Sequence, residues 1–227
     1  MGIPDLSLPA MSPLNQDHHQ SILQRASGLF KRCGIKAVTM DDVSKDLSIS
    51  KKTLYQYFKN KGDLVQQSVA YVFLQRHNEA LAIQAKHDNA VDELIALNEN
   101  IIQTLEKHTP MMLFALKKYH NKTYQWLDQK RKSVTLEIYS SNLKRGIDQG
   151  LYHGQVTMRD VSYLRYSQIT VLMEDDDLTN DIPLRNTLLS SSLDLYIRAI
   201  ATPQGLSYYR EHSQSIIANP ETIKPLS

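Results

Sequence analysis

The sequence predicts an all-α protein, with an N-terminal helix-turn-helix domain and a larger C-terminal helical domain. Apolar residues recur at three- to four-residue spacing along most of the chain, the period of a helix with one buried face. No two alternating segments joined by a hairpin turn are found, and there is no internal repeat. Capping and breaking residues, among them Gly34, Thr39, Ser50, Asp63 and Pro110, stand where one helical pattern gives way to the next.

Residues 1–17 carry Pro4, Pro9 and Pro13 among small and polar residues and read as a disordered arm. His18 and His19 read as its continuation rather than as a metal site. A helix is expected from Ser21, because Ile22, Ala26, Leu29, Phe30 and Cys33 fall on one face. Gly34 supplies the left-handed residue that ends it, and Cys33 is expected to be a small buried residue at that end. Thr39 opens a second helix, Met40 to Leu47, with Asp41 and Asp42 at the positive end of its dipole. Ser48-Ile49-Ser50 breaks the pattern, and Ser50 caps a third helix, Lys51 to Phe58. Asp63 is expected to cap a long fourth helix from Leu64 towards Lys86. An apolar stripe runs from Val91 to Leu105, and Pro110 suits the first position of a short helix reaching His120. A helix from about Lys122 to Gln149 would be roughly 40 Å long. Segments Asp160 to Glu174, Leu184 to Ala201 and Leu206 to Ser213 complete the set. The acidic stretch Glu174–Asp177 lacks the glycine and glutamate of a calcium loop and reads as a solvated connector.

A chain of 227 residues suits one large or two modest domains, and 41% hydrophobic with 22% charged residues suits a packed core. The single cysteine excludes an internal disulfide framework and any multi-cysteine metal site. No apolar run approaches the roughly 20 residues that span a membrane, and no secretory pattern is present. A cytoplasmic location without membrane association is therefore expected. No glycine-rich phosphate loop, nucleophile elbow or metalloprotease motif occurs, so no enzymatic activity, no catalytic residue, no cofactor and no metal are expected. The charge is uneven: residues 1–67 hold a net +3 and the remainder a net −1. That distribution fits a small nucleic-acid-binding head on a larger body.

The functional signal lies in residues 39–64. Two helices of about eight residues joined by a short turn make a helix-turn-helix. Val43, Leu47, Ile49, Leu54 and Phe58 have the spacing of its core and would pack on Leu29 and Phe30. Lys51, Lys52, Thr53, Tyr55 and Gln56 are left on the outer side of the second helix. Hydroxyls, a phenol and lysines there suit a helix laid into a groove between two phosphate backbones. The string Ser50-x-x-Thr53-Leu54-Tyr55-x-Tyr57-Phe58-x-x-Lys61-x-x-Leu64 resembles the DNA-binding head of the TetR family of bacterial transcriptional regulators. Leu29-Phe30-x-x-x-Gly34 and Thr39-x-x-Asp42-Val43 extend the resemblance, which covers about residues 20–66. One position departs from it: Ser48 stands where that turn usually carries glycine, and a positive φ costs serine more than glycine.

The resemblance implies a DNA-binding domain over residues 18–66 and a ligand-binding and dimerisation domain over 67–227. It implies phosphate contacts from Thr39, Tyr55, Tyr57 and Lys61. It places Ser50, Lys51, Lys52, Thr53 and Gln56 at or beside the major groove of a double-stranded operator. No arginine stands on the reading helix, so bidentate guanine recognition from it is not expected. The body is expected to take a small-molecule effector. Met111, Met112, Phe114, Tyr119, Trp126, Tyr139 and Tyr166 are candidates to line its pocket, and they would serve equally as ordinary core. A homodimer is expected through the last two long helices, with apolar surface from Leu188, Leu189, Leu195 and Ile200; Leu193 and Ile197 could face either way. The expected function is a ligand-responsive repressor that binds a palindromic operator as a dimer and is released by its effector. The alternative is an all-helical interaction protein, or an enzyme, whose basic head meets a partner other than DNA.

Overall fold

The computed structural model describes residues 13–106, 110–155, 157–175, 177–178 and 181–213. Among them lie ten helices: α1 Pro13–Cys33, α2 Met40–Asp46, α3 Lys51–Tyr57, α4 Lys61–Lys86, α5 Ala90–Glu106, α6 Pro110–Tyr119, α7 Asn121–Asp148, α8 Met158–Glu174, α9 Ile182–Ile200 and α10 Pro203–His212. The described residues form no strand beyond an isolated antiparallel bridge between Tyr152 and Ala201. No described helix is long and apolar enough to cross a membrane.

Local chemistry accounts for most helix ends. Gly34 takes φ +81° after α1, and its N–H donates to the Phe30 carbonyl at 2.9 Å. Three starts differ from expectation by three residues or more, and α8 and α9 each begin two residues early. α1 begins at Pro13, so residues 13–17 are helical rather than part of an arm; residues 1–12 lie outside the described residues. A proline is tolerated there because the first helical N–H has no intrahelical partner. α4 begins at Lys61, because Asn60 Oδ1 accepts from the Asp63 N–H at 3.0 Å and is the cap. Asp63 instead reaches back to accept from the Lys59 N–H at 2.8 Å. α10 begins at Pro203, capped by the Thr202 hydroxyl, which accepts from the Gly205 N–H.

The chain divides into two compact units. The first draws its described residues from 1–78 and 108–131, and the second from 79–107 and 132–227. In the first, Leu23, Ala26 and Phe30 of α1 pack with Val43, Leu54, Phe58, Leu64, Leu116 and Trp126. α6 and the start of α7 thus belong with the helix-turn-helix. In the second, Val91 and Leu94 of α5 pack with Tyr139 and Leu143 of α7, Leu193 and Ile197 of α9, and Tyr209 of α10.

Two expectations about burial are corrected, and one left open is resolved. Cys33 is exposed, because it sits past the last core contact of α1. Leu189 and Ile200, expected at a subunit interface, are buried inside the protomer. Leu193 and Ile197, left open from sequence, face the second core. The exposed apolar residues of α8 and α9 are Leu164, Val171, Leu184 and Leu195, with Met158, Tyr163 and Ile182 towards their N-terminal ends.

Candidate nucleic-acid interface

The helix-turn-helix is fixed by two caps that the sequence carries in plain view. The Thr39 hydroxyl accepts from the Asp42 N–H at 3.2 Å, and Asp42 Oδ2 accepts from the Thr39 N–H at 2.8 Å. The Thr39 hydroxyl also lies 2.7 Å from Asp42 Oδ2. These bonds hold the Asp42 carboxyl below the usual carboxylate range. Ser50 Oγ accepts from the Thr53 N–H at 3.0 Å and meets the Thr53 hydroxyl at 2.8 Å. Between the helices Ser48 adopts φ +56°. The turn therefore keeps the left-handed residue that glycine would supply, with serine carrying the strain.

α3 then has two sides. Leu54 and Phe58 are fully buried, and Leu47 and Ile49 pack beside them. Lys51, Lys52, Tyr55 and Gln56 are exposed, and Thr53 is half-buried at the cap. Tyr55 shows half its surface to solvent (50%), whereas Tyr57 leans on the core, tilted against His19 and Phe58. Lys51 Nζ lies 2.6 Å from Asp41 Oδ1, which raises its pKa through that bond. A phosphate would compete with Asp41 for the same ammonium. Lys61 Nζ donates to the Lys36 carbonyl at 3.1 Å, tying the start of α4 to the turn before α2, and its partial burial lowers its pKa. On α1, Arg25 bonds both the side chain and the carbonyl of Asp46, and Arg32 lies 3.9 Å from the same carboxylate.

His19 is the structural residue that the sequence concealed. It is buried on α1, its ring stacks on Phe58 at 5.1 Å, and Nε2 meets Gln67 Oε1 at 2.7 Å. Its position one turn before Ile22 and Leu23 is the signal that finds it, since residues 19, 22, 23 and 26 share a helix face. Burial pushes its imidazole below the ordinary value of 6.5, against the opposing effects of Gln67 and Asp63. As pH falls below about 6.5 the unfolded chain takes up a proton that the folded ring resists. The stability His19 contributes is thus complete above pH 6.5 and is lost as pH falls through its folded value. Thermal melts from pH 7.5 to 5 should decline more steeply for the wild type than for His19→Phe, which keeps an aromatic ring without the proton. Equal slopes would remove His19 from the account.

The candidate effector residues are divided between the two units. Trp126 and Met112 join the core of the first unit, with Trp126 edge-on to Phe73 at 5.7 Å. Phe114 and Tyr119 are exposed on α6 beneath lysine ammonium groups, Lys118 over both rings and Lys36 over Tyr119. Tyr139 is buried in the second unit, and Tyr166 is half-buried there, near Lys132. The side chain of Met111 lies outside the described residues. Among the described residues no three metal-ligating side chains converge.

Residues 22–67 match the family described as bacterial regulatory proteins, tetR family. The chain is 24% identical over 194 residues to the uncharacterized HTH-type transcriptional regulator YhgD of Bacillus subtilis, covering 80% of this chain and 95% of that one. It is 26% identical over 121 residues to IcaR of Staphylococcus aureus, the HTH-type negative transcriptional regulator of the biofilm operon icaADBC, covering 52% of this chain and 65% of IcaR. The fold is similar to that of reduced Escherichia coli NemR, with a TM-score of 0.68 at 15% identity over 82% of this chain and 98% of that one. A TetR-family regulator from Cytophaga hutchinsonii also gives 0.68, at 13% identity over 85% and 99%.

Proposed function

We propose that the chain is a ligand-responsive repressor of the TetR family of transcriptional regulators, whose family model residues 22–67 match. It binds a palindromic operator as a homodimer in the cytoplasm and is released by a small-molecule effector. The observation that carries this reading is the division of α3: Leu54 and Phe58 are locked into the core, while Lys51, Lys52, Tyr55 and Gln56 face outward. Such a helix presents its N-terminal residues to base edges while flanking groups meet phosphates. Thr39, Ser50 and Thr53 stand at the N-terminal ends of α2 and α3, where in this reading a DNA phosphate would lie. Tyr57 and Lys61 complete the phosphate set in this reading. IcaR, named a negative regulator, supports repression.

Dimerisation is supported by the apolar surface left on α8 and α9. Leu164 and Val171 are two helical turns apart on α8, and Leu184 and Leu195 are three turns apart on α9. A second copy laid across both helices would cover them. Two heads must then meet successive major-groove faces about 34–36 Å apart. An effector preferring another spacing lowers DNA affinity by its differential binding to the two states.

The test is fluorescence anisotropy with DNA from upstream of the protein's own gene, against a scrambled duplex, at several salt concentrations. The upstream DNA should bind at least ~10³-fold more tightly than the scramble. A Tyr55→Phe/Lys61→Ala variant should bind all DNA more weakly, with a shallower salt slope. Equal weak binding to both duplexes would sink the operator assignment. No binding at low salt would sink the DNA-binding head and favour an interaction protein.

A further inference from the structure

Among the described residues the second unit buries Glu93, Arg165 and Arg185, and it handles the first two very differently. Glu93 is fully buried, and it meets Arg145 in an ion pair and Asn142 Nδ2 at 2.9 Å. Arg165 on α8 is also fully buried, yet among the described residues it meets only neutral groups. Nη1 donates to Ser192 Oγ at 2.8 Å, and Nη2 donates to Asn98 Oδ1 at 2.9 Å. Nε has no acceptor. The guanidinium carbon lies 5.7 Å from the centre of the Tyr139 ring and 5.8 Å from that of Tyr196. The two rings meet edge to face at 6.1 Å.

This surrounding is rich in donors and poor in acceptors. A guanidinium only donates, so Asn98 must turn its oxygen towards it, which leaves the Asn98 amide N–H groups as further donors. Asn98 Nδ2 and the Tyr196 hydroxyl are both buried and without a partner. Ser192 already spends its own proton on the Leu189 carbonyl at 2.9 Å. Aromatic faces soften a buried cation but do not neutralise it, and buried charges are otherwise paired. The group that only accepts, and so would satisfy Arg165 Nε, is an anion, and Asn98 Nδ2 and the Tyr196 hydroxyl are further buried donors around the same guanidinium.

We propose that the second unit binds a small organic anion, with Arg165 as its charge partner and Asn98 and Tyr196 as neighbouring donors. For its regulatory consequence the inference rests on the ligand-responsive reading above, because it names the chemical class of the effector. For the binding itself it needs no DNA. A carboxylate is the simplest such group, and Tyr139 and Tyr196 are the rings that its organic part would meet first.

The test is thermal denaturation of the DNA-free protein with acetate, benzoate or hexanoate at constant pH and ionic strength, each compared with its neutral amide. A ligand that binds the folded state raises the melting temperature with concentration. At least one carboxylate should protect the wild type beyond its amide. Arg165→Met should raise the half-saturating concentration at least ~30-fold, as loss of one member of a buried charge pair does. Without ligand Arg165→Met should melt close to the wild type, since removing an unpaired buried cation offsets the buried Asn98 oxygen left without its donor. Tyr196→Phe should keep the ligand-free melting temperature and weaken protection. Three outcomes would overturn the proposal: no carboxylate outperforming its amide, protection undiminished in Arg165→Met, or Arg165→Met melting well below the wild type or failing to fold, which would make Arg165 a structural strut. Carboxylate protection without specific DNA binding would keep the anion site and sink the regulator, and specific DNA binding without protection would do the reverse.

Discussion

Phe58→Ala should cost about 3–5 kcal/mol of stability and remove DNA binding with it, because it empties the joint on which α3 rests. Phe58 is fully buried, it is the C-cap of α3, and its N–H donates to the Leu54 carbonyl at 3.1 Å. Its ring also carries the stacked imidazole of His19, so the cavity would open between α1 and α3. Three residues away, Tyr55→Ala should leave stability within about 0.5 kcal/mol, as surface substitutions do. Tyr55 is half-exposed and absent from the core of the first unit. In the proposed interface it contacts phosphate, so Tyr55→Ala should still weaken binding on every DNA sequence. Urea denaturation and anisotropy on the two variants separate folding from contact. A Phe58→Ala protein within ~1 kcal/mol of the wild type would contradict the packing described, given the usual cost of emptying an aromatic site.

The helix-turn-helix was legible in the sequence because its determinants are local. Thr39 and Ser50 cap their helices by bonds to residues three positions on, so α2 and α3 end within a residue of where the pattern places them. The core positions Val43, Leu54 and Phe58 follow from helical spacing alone. His19 was not legible, because its burial depends on Phe58 and on Gln67, 48 residues away, and a histidine after a proline-rich stretch resembles a solvated tail. In the second unit the stripes were legible but their partners were not. Leu189 and Leu195 lie on one helix, yet the first is buried and the second is the most exposed apolar residue of α9. Which stripe faces the protomer's own core is decided by packing against α5 and α8, which no spacing within α9 encodes. Arg165 is the extreme case. Its type predicts a surface position, and only the arrangement of Asn98, Tyr139, Ser192 and Tyr196 reveals that it is enclosed.

The Glu93–Arg145 pair yields the second large effect, and it should be asymmetric. Glu93 is fully enclosed, whereas Arg145 keeps 32% of its side chain exposed. Arg145→Met would strand a buried carboxylate with Asn142 as its remaining donor, and should cost about 3–5 kcal/mol. Glu93→Gln leaves a guanidinium that can still turn to water, and its amide oxygen keeps accepting from Asn142. That change should cost only about 1–2 kcal/mol. The double variant should be more stable than Arg145→Met alone, because the stranded charge is gone. Urea denaturation of the three proteins measures the ordering, and equal losses from the two single variants would mean that burial of the carboxylate is not what the pair compensates. The result bears on the proposed anion site through α7. Asn142 donates to both Glu93 and the Ala90 carbonyl, clamping α7 to α5. Tyr139 lies one turn before Asn142 and places its ring against Arg165. One stretch of α7 therefore carries the partners of a buried charge that is satisfied and the aromatic wall of one that is not. If the asymmetry holds, a buried charge in this unit needs a partner, and the proposed anion would supply the one that Arg165 lacks among the described residues.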